Sequence, residues 1–221
     1  MTVLARPFLR SLLALGALLV GAACHTTPRR VLTEADYPGE LRPPDALGKD
    51  LLWQQRVTAS WGEGEERGFD AAVQKQGAKL TVIGMSPLGQ AGFVLIQDAT
   101  GVTFENHTDM HLPFPARFVL LDVQRTFFPW LPSAGTPADG ERTGIVAGEQ
   151  VVEVHAAGRL VERRFTRLDG KPAGTIVVRY EWSDADAGRI APRRAVLDNG
   201  WFGYRMTVDT HSEAELPPEG S

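Results

Sequence analysis

The stretch LLWQQRVTASW, residues 51–61, alternates large apolar side chains with polar ones. In an extended chain Trp53, Val57, Ala59 and Trp61 lie on one face, because successive side chains of a strand point to opposite sides. This period is typical of a β-strand with one buried face and one face in water. It predicts a long strand at the start of the folded domain.

The same period of two recurs along the chain. It is clearest at residues 175–182 (TIVVRYEW) and 201–208 (WFGYRMTV). Short turns such as Asp169-Gly170 and Asn199-Gly200 separate such segments, and turns of this length join antiparallel neighbours. The pattern therefore predicts a mainly β protein with an antiparallel sheet of about ten strands. The remaining strands are predicted at residues 66–75, 78–84, 91–97, 101–105, 149–155, 159–167 and 189–197.

One segment, PFPARFVLLDVQRTFFPWLP at residues 113–132, departs from this rhythm. Its apolar residues fit helical spacing, and Pro115 and Pro129 suit the first turn and the end of a helix. Ten strands at a spacing of about 4.8 Å would make a flat sheet nearly 50 Å wide, which one helix cannot cover. We therefore expect a curved sheet that forms an unclosed half barrel, with one or two helices as its lid.

A curved sheet with an apolar concave face leaves a cavity under its lid unless large side chains fill it. A filled barrel is the alternative. In the first case the predicted helix would act as a gate, since moving one element costs less than separating strands. The candidate cavity residues, each of which also suits an ordinary core position, are Trp53, Val57, Phe93, Leu95, Phe118, Leu121, Tyr180, Phe202 and Tyr204.

The N-terminal residues have the layout of a secretory signal peptide. Arg6 and Arg10 precede thirteen uncharged residues, which are too few to span a bilayer, and small residues then run into Cys24. This resembles the lipobox of bacterial lipoproteins, and the resemblance implies cleavage after residue 23 and acyl chains such as palmitate on Cys24. Gly21 departs from that pattern, because leucine is usual there. The alternatives are ordinary cleavage that leaves a free thiol, and an uncleaved anchor.

Composition divides the rest of the chain. Residues 24–49 are rich in proline and charge and are predicted to be a lipidated flexible tether, and residues 212–221 a disordered acidic tail. The half-barrel domain is expected at residues 50–211. Residues 1–23 contain two arginines and no acid, so the net charge of −4 becomes −6 without them. Such a negatively charged chain has no general attraction for nucleic acid. We also expect the protein to be a monomer.

No pattern of residues predicts catalysis, a metal site or a cofactor. In HTDMH, residues 107–111, His107, Asp109 and His111 would share one face of a strand, but polar loop residues explain them as well. DADAG, residues 184–188, begins like a calcium loop and lacks the acid that twelve-residue spacing requires. Arg163 and Arg164 are interpreted as part of a solvated outer face; the alternative is that they meet a carboxylate or phosphate of the cargo.

The stretch AKLTVIGMSPLGQAGFVLIQDATGVTFE, residues 78–105, is similar to a strand-loop-strand region of LolB, the outer-membrane receptor that accepts lipoproteins from the periplasmic carrier LolA. The chain resembles still more a family of LolB-like lipoproteins of aryl-polyene biosynthesis clusters, with LLDVQRTFFP, GTIVVRYE and NGWFGYRMTVDT in the matching order. The resemblance implies an apolar cavity for acyl chains. It also implies a loop at Pro87, Leu88 and Gly89 whose exposed leucine delivers cargo to the membrane; otherwise Leu88 tucks back onto the sheet.

These observations predict a lipid-anchored cell-envelope protein that is not an enzyme. We expect it to bind acyl chains or other lipophilic cargo for lipoprotein or lipid localisation to the outer membrane, facing the periplasm. The expected partners are the chains of a lipoprotein or a polyene lipid, and a LolA-like periplasmic carrier that hands them over. The alternative is a non-catalytic scaffold or assembly lipoprotein, with a filled barrel, that binds a protein partner.

Overall fold

A computed structural model describes residues 33–62, 64–86, 88–107, 115–132, 138–183 and 188–217. One α-helix, α1 (Ala116–Phe127), and two short 3-10 helices (Glu34–Asp36 and Pro44–Leu47) accompany eleven strands in these ranges. The strands are β1 (Leu51–Trp61), β2 (Glu65–Gln76), β3 (Lys79–Met85), β4 (Ala91–Asp98), β5 (Gly101–Asn106), β6 (Gly140–Val146), β7 (Glu149–Ala156), β8 (Arg159–Arg167), β9 (Thr175–Glu181), β10 (Arg194–Asn199) and β11 (Tyr204–Glu215).

All eleven strands form one antiparallel sheet that does not close into a barrel. Its order is β5-β4-β3-β2-β1-β11-β10-β9-β8-β7-β6, so each strand except at the centre pairs with its neighbour in sequence. We call β1–β5 the first wing and β6–β10 the second wing; β11 pairs with β1 and β10 and joins them. The predicted fold class, a curved antiparallel sheet with a helix across it, is confirmed.

The sheet has one strand more than the pattern predicted, because β6 was missed. Its sequence, GERTGIV, contains two glycines and three charged or hydroxyl side chains, so period-two hydrophobicity is absent. Glycine at position 144 is explained by packing, because a Cβ at this position would lie 2.6 Å from Cδ2 of Leu131. β6 is stabilised by its pairing with β7 and by the close contact between the Gly144 backbone and Leu131. Its own side chains therefore need not alternate between apolar and polar.

The predicted tail boundary is wrong, because β11 continues to Glu215. Its last residues pair with the start of β1, with Glu215 opposite Leu51. The Glu213 carboxylate accepts hydrogen bonds from the Trp53 indole at 2.8 Å and from the backbone N–H groups of Ile190 and Ala191 at 3.0 and 2.8 Å. An acidic stretch that reads as solvated in sequence is therefore part of the sheet as far as Glu215.

The predicted tether is also shorter than expected, because the chain packs on the domain from Thr33 onward. Tyr37 is only 1% exposed. The Arg117 guanidinium of α1 donates to the carbonyls of Glu34, Tyr37 and Gly39. Residues 33–47, which we call the docked segment, thus satisfy their backbone through two short 3-10 helices and through side chains of α1 such as Arg117 and Gln124.

The two faces of the sheet differ in chemistry. The concave face carries the hydrophobic core, which α1 divides: Phe118 and Leu121 pack toward the second wing, and Leu120 and Phe128 pack toward the first. The convex face carries cross-strand ion pairs such as Arg56–Asp70 at 3.1 Å and Arg194–Asp209 at 2.7 Å. Exposed pairs of this kind contribute little to stability, so the concave core holds the fold together.

Arg163 corrects the prediction that Arg163 and Arg164 share a solvated face. Arg164 is partly exposed and pairs with Glu141 at 3.0 Å, as expected of the convex side. Arg163 is instead buried and pairs with Glu153 at 2.8 Å. Neighbours on a strand point to opposite faces, so only one of the two could lie in water.

Within the described residues no helix is long and apolar enough to cross a membrane. Cys24 and the predicted signal peptide lie outside those residues.

Candidate functional site

Helix α1 lies across the concave face and is fixed at its C-terminal end by side chains of the sheet. The carbonyl of Arg125 accepts a hydrogen bond from Arg163 Nη1 at 2.7 Å, and that of Thr126 accepts one from the Tyr180 hydroxyl at 2.9 Å. Trp130 Nε1 donates to the carbonyl of Gln124 at 2.9 Å. The last turn of a helix leaves four carbonyls without helical partners, and a cation there also complements the helix dipole. These bonds hold α1 to β8 and β9.

A buried ion pair adds a second attachment. Arg125 Nη2 lies 2.9 Å from Glu149 Oε1 of β7, and both side chains are at most 1% exposed. Burial raises the pKa of Glu149, and the positive charge of Arg125 opposes that rise. The same guanidinium lies over the ring of Tyr37, 4.6 Å from its centre. A Cβ at Gly39 would come within 2.6 Å of Arg125 Nη2, so the docked segment requires glycine there.

Asp122 is the centre of a buried polar network between α1, β11 and the docked segment. Its two carboxylate oxygens accept hydrogen bonds from the hydroxyls of Tyr37 and Tyr204, and Asn199 Nδ2 donates to the Tyr37 oxygen at 2.9 Å. Burial raises the pKa of Asp122 to about 6, against the opposing effects of both tyrosines and of Arg125. Burial, and then the charge of Asp122, also raise the pKa of both tyrosines, so both hydroxyls keep their protons at neutral pH.

An apolar cavity of about 80 Å³ lies between α1 and the sheet. The helix contributes Val119, Val123 and Phe127, which recur at intervals of four residues and therefore share one side of α1. The opposite wall is built from small side chains of the central strands, among them Val57, Ala71 and Val208. Asp122, Thr126 and Gln55 supply a polar edge. The cavity is present because valine and alanine occupy these facing positions. Larger side chains there would fill the space between α1 and the sheet.

Aromatic rings border the cavity on the side of the first wing. The Phe69 and Phe93 rings meet edge to face with their centres 5.8 Å apart, and Phe93 also meets Phe104 of the edge strand β5 at 6.5 Å. A Cβ at Gly84 would lie 2.0 Å from Phe93 Cε1. Glycine at position 84 therefore lets the Phe93 ring lie flat against β3 and leaves the cavity open.

The nine predicted cavity residues occupy different sites in the structure, and only some of them line the cavity. Val57 and Phe93 line the cavity. Tyr180 and Tyr204 use their hydroxyls to hold α1. Phe202 lies in the turn between β10 and β11 and packs on Tyr37 at 5.2 Å. The other four, which are buried in the core, are Trp53, Leu95, Phe118 and Leu121.

Asp122 and Tyr37 were not predicted as site residues. Asp122 lies four residues after Phe118 and so shares its side of α1, but the tyrosines that satisfy its carboxylate come from other parts of the chain. Tyr37 lies in a segment predicted to be a flexible tether, and 85 residues separate it from Asp122. The one available signal was a lone tyrosine in an otherwise polar, proline-rich stretch.

Leu88 projects from the loop between β3 and β4. It is 86% exposed, and Gly89 N–H donates to the Ser86 carbonyl at 2.9 Å across the turn. Gly89 has φ +75°, a conformation that glycine adopts without strain. Leu88 therefore does not tuck back onto the sheet; Pro87 lies outside the described residues.

The described parts of the chain contain no group of three His, Cys, Asp or Glu side chains placed to hold a metal ion. Of the HTDMH motif only His107 is described, and it is exposed beside Glu105. Asp109, His111 and residues 184–187 lie outside the described residues.

The sequence profile of a family described as "Protein of unknown function (DUF3261)" matches residues 52–212. The chain belongs to this family. The DUF3261 match spans all eleven strands except the first residue of β1 and the last three of β11. No curated protein sequence matches the chain significantly.

Several solved structures are similar to this DUF3261 chain. A LolA superfamily protein from Nitrosomonas europaea has 14% identity and a TM-score of 0.43, over 85% of this chain and 93% of that one. An outer membrane lipoprotein-sorting protein domain from Vibrio parahaemolyticus has 9% identity and a TM-score of 0.42, over 78% and 87%. Lipoprotein LppX from Mycobacterium tuberculosis has 10% identity and a TM-score of 0.35, over 78% and 91%. At these values the likeness carries no conclusion about function, and none of these names mentions aryl-polyene clusters.

Proposed function

We propose that this protein is a lipid-anchored protein of the cell envelope that binds acyl chains or other lipophilic cargo between α1 and the sheet. The observation that carries the proposal is the apolar cavity at the centre of the concave face. Burial of a chain there would contribute about 25 cal/mol for each Å² of apolar surface removed from water. No catalytic step is part of the proposal.

The cavity must enlarge to hold a whole chain. Its volume of about 80 Å³ is well below the roughly 300–1,000 Å³ of sites for drug-sized ligands. Short apolar groups fit the space that is present, and a longer chain requires surrounding side chains to move. The proposal is therefore of a site that expands as it fills.

The attachments of α1 indicate which side moves. Toward the second wing and β11, the helix makes a buried ion pair and several buried hydrogen bonds, and breaking these would leave charges unpaired. Toward the first wing the contacts shown by the described residues are mainly apolar, such as Phe127 on Trp53 at 4.9 Å, together with a bond from Gln124 to Gln97 at 2.8 Å. We expect the side chains of the first wing to yield, while α1 stays in place and does not lift as a gate.

Anchoring and delivery complete the proposal. Acyl chains on Cys24 would hold the protein to the outer membrane on its periplasmic side, with the signal peptide of residues 1–23 removed. Each buried methylene contributes about 0.8 kcal/mol, so two or three chains hold firmly. The exposed Leu88, with Pro87 and Gly89, would deliver cargo received from a LolA-like carrier. Membership of the narrower group of LolB-like lipoproteins of aryl-polyene clusters, and a polyene lipid as cargo, belong to this same proposal.

The decisive test is native mass spectrometry of the full chain carrying Cys24→Ser, purified from cells without detergent. A shorter fragment is unsuitable, because the docked segment and Glu213 are parts of the fold. We expect a co-purified mass of a few hundred to about a thousand daltons that is lost on denaturation. A bare chain that also fails to bind a neutral fluorescent apolar probe would contradict the proposal.

A matched pair of substitutions locates the ligand. Ala71 lines the cavity, and Ala72, next to it on β2, points to the other face. We expect Ala71→Leu to fill the cavity and abolish probe binding without lowering the melting temperature, since filling a void commonly stabilises. Ala72→Leu should bind as the unsubstituted chain does. Equal binding by both variants would place the ligand elsewhere.

The small volume of the cavity favours a second candidate, a scaffold with a filled barrel that binds a protein partner. Its docking surface would include the edge strand β5, where Val102 and Phe104 are each 41% exposed. An absence of bound lipid together with pull-down of a defined envelope protein, lost when Phe104 is changed to Lys, would support this candidate over the first.

A further inference from the structure

Asp122 places a carboxylate at the edge of the cavity, and among the described residues no cation forms a salt bridge with it. The nearest cation on α1, Arg125, is bound to Glu149 at 2.9 Å. The buried Arg163 is bound in the same way to Glu153 at 2.8 Å. The Asp122 carboxylate accepts hydrogen bonds from two tyrosine hydroxyls, which are neutral. The charges that face this corner from α1, β7 and β8 therefore cancel in pairs and leave the negative charge of Asp122.

The hydrogen-bond donors that line the cavity or bond Asp122 are already in use. Arg125, whose Nε and Nη1 have no hydrogen-bond partner among the described residues, does not line the cavity. The hydroxyls of Tyr37 and Tyr204 both donate to Asp122, and the Asn199 amide donates to the Tyr37 oxygen. From β1, Gln55 Nε2 donates to Thr210 Oγ1 at 3.3 Å. The Thr126 hydroxyl donates to the carbonyl of Asp122 at 2.7 Å. A second anion that entered the cavity would meet acceptors and a like charge.

We propose that Asp122 makes the cavity selective for lipophilic ligands whose buried end is uncharged, such as an ester, an alcohol or a hydrocarbon terminus, and excludes the carboxylate of a free fatty acid. This inference rests on the proposed lipid-binding function and names the class of ligand for that site. Its physical basis is that two like charges a few ångströms apart repel much more strongly away from water than in it.

The ionisation of Asp122 sets the conditions of the test. Its pKa of about 6 means that the carboxylate is charged at pH 8 and neutral at pH 5. The flanking tyrosines stay protonated throughout this range, because burial raises the pKa of both. Exclusion of anions is therefore present at pH 8 and weakens toward pH 5.

The experiment uses the full chain carrying Cys24→Ser and the neutral probe N-phenyl-1-naphthylamine. The probe is displaced by 1-octanol or by octanoate at pH 8, in otherwise unsubstituted protein and in Asp122→Asn. Octanol is more hydrophobic than octanoate and binds better in any apolar site. The readout is therefore the ratio of the octanol affinity to the octanoate affinity, compared between the two proteins. We expect Asp122→Asn to reduce that ratio at least tenfold. Asp70→Asn, which removes a charge from the convex face, should leave the ratio unchanged.

A second measurement keeps the test decisive if Asp122→Asn does not fold. Octane-1-sulfonate stays ionised at both pH values, so a change in its affinity reports the protein alone. We expect it to bind about tenfold more tightly at pH 5 than at pH 8, while 1-octanol binds equally at both. If octanol binds and neither the ratio nor the sulfonate affinity changes, the role of Asp122 is refuted and lipid binding stands. If neither probe nor octanol binds, lipid binding itself fails, and the selectivity with it.

Discussion

Asp122 is a carboxylate that the fold keeps out of water, and the free energy this costs depends on pH. Its pKa rises from 3.8 to about 6 on folding, so the folded state binds the proton more tightly than the unfolded state does. The stability contributed by the protonated form is complete below about pH 4 and is lost as pH rises through 6. A shift of this size corresponds to about 3 kcal/mol.

Asp122→Asn removes this titration and so isolates it. We expect the free energy of unfolding of the unsubstituted chain, relative to Asp122→Asn, to fall between about pH 4 and pH 6 and to stay level above pH 7. Urea denaturation of both chains across this range provides the measurement. Parallel pH profiles would show that Asp122 is not desolvated in the folded protein.

Leu88 is a single exposed side chain to which the proposal assigns delivery of cargo to the membrane. We expect Leu88→Glu to change the free energy of unfolding by less than about 0.5 kcal/mol, because the side chain has almost no contacts to lose. Transfer of a fluorescent acyl cargo from protein to vesicles should slow severalfold, because the glutamate is costly to place in lipid. Leu168→Glu, in the exposed turn between β8 and β9 of the second wing, is the control. Equal rates for the two variants would remove the loop from delivery.

At the scale of elements, the last strand depends on a carboxylate that the sequence suggested was solvated. Glu213 accepts bonds from an indole and from two backbone N–H groups, whereas Glu215 makes only an exposed pair with Lys49 at 3.4 Å. Hydrogen bonds to a charged group contribute about 1.5–3 kcal/mol each, and exposed pairs contribute far less.

We therefore expect Glu213→Gln to lower the free energy of unfolding by about 2 kcal/mol and Glu215→Gln by less than 0.5 kcal/mol. Chemical denaturation of the two variants measures the difference. Equal effects would mean that β11 ends before Glu213 and that the predicted tail boundary was right after all.

The elements also show what the sequence can and cannot predict. Strands with a clean period of two, such as β1 and β9, were predicted closely, because burial of one face determines that period. β6 was missed because Gly144 is determined by Leu131, a residue outside the strand. The polar residues Asp122 and Arg125 of α1 each lie four residues after a buried apolar residue, and the pattern does not show what would satisfy them there. Their partners Tyr37 and Glu149 arrive from distant parts of the chain, which no local pattern records.

At the scale of the whole molecule, attachment to the membrane is predicted to depend on Cys24 alone. We expect Cys24→Ser to move the protein from the membrane fraction to the aqueous fraction, because the acyl chains would be lost with the thiol. Thr26→Ala, which keeps the cysteine, should stay with the membrane. Fractionation by ultracentrifugation followed by immunoblotting measures the distribution. Retention of Cys24→Ser in the membrane would contradict the lipid anchor.

The strand order has a consequence for how the chain folds. β1 and β11 are neighbours at the centre of the sheet, yet Trp53 and its partner Glu213 are 160 residues apart in sequence. Each wing is a series of hairpins and can form from nearby residues, but the two wings can join only when β11 pairs with β1, a contact between distant parts of the chain. Until then each half-sheet presents an unpaired edge, which is prone to aggregation. Formation of the β1–β11 pair therefore removes two unpaired strand edges at once, and a chain that has not yet made it is the form most exposed to aggregation.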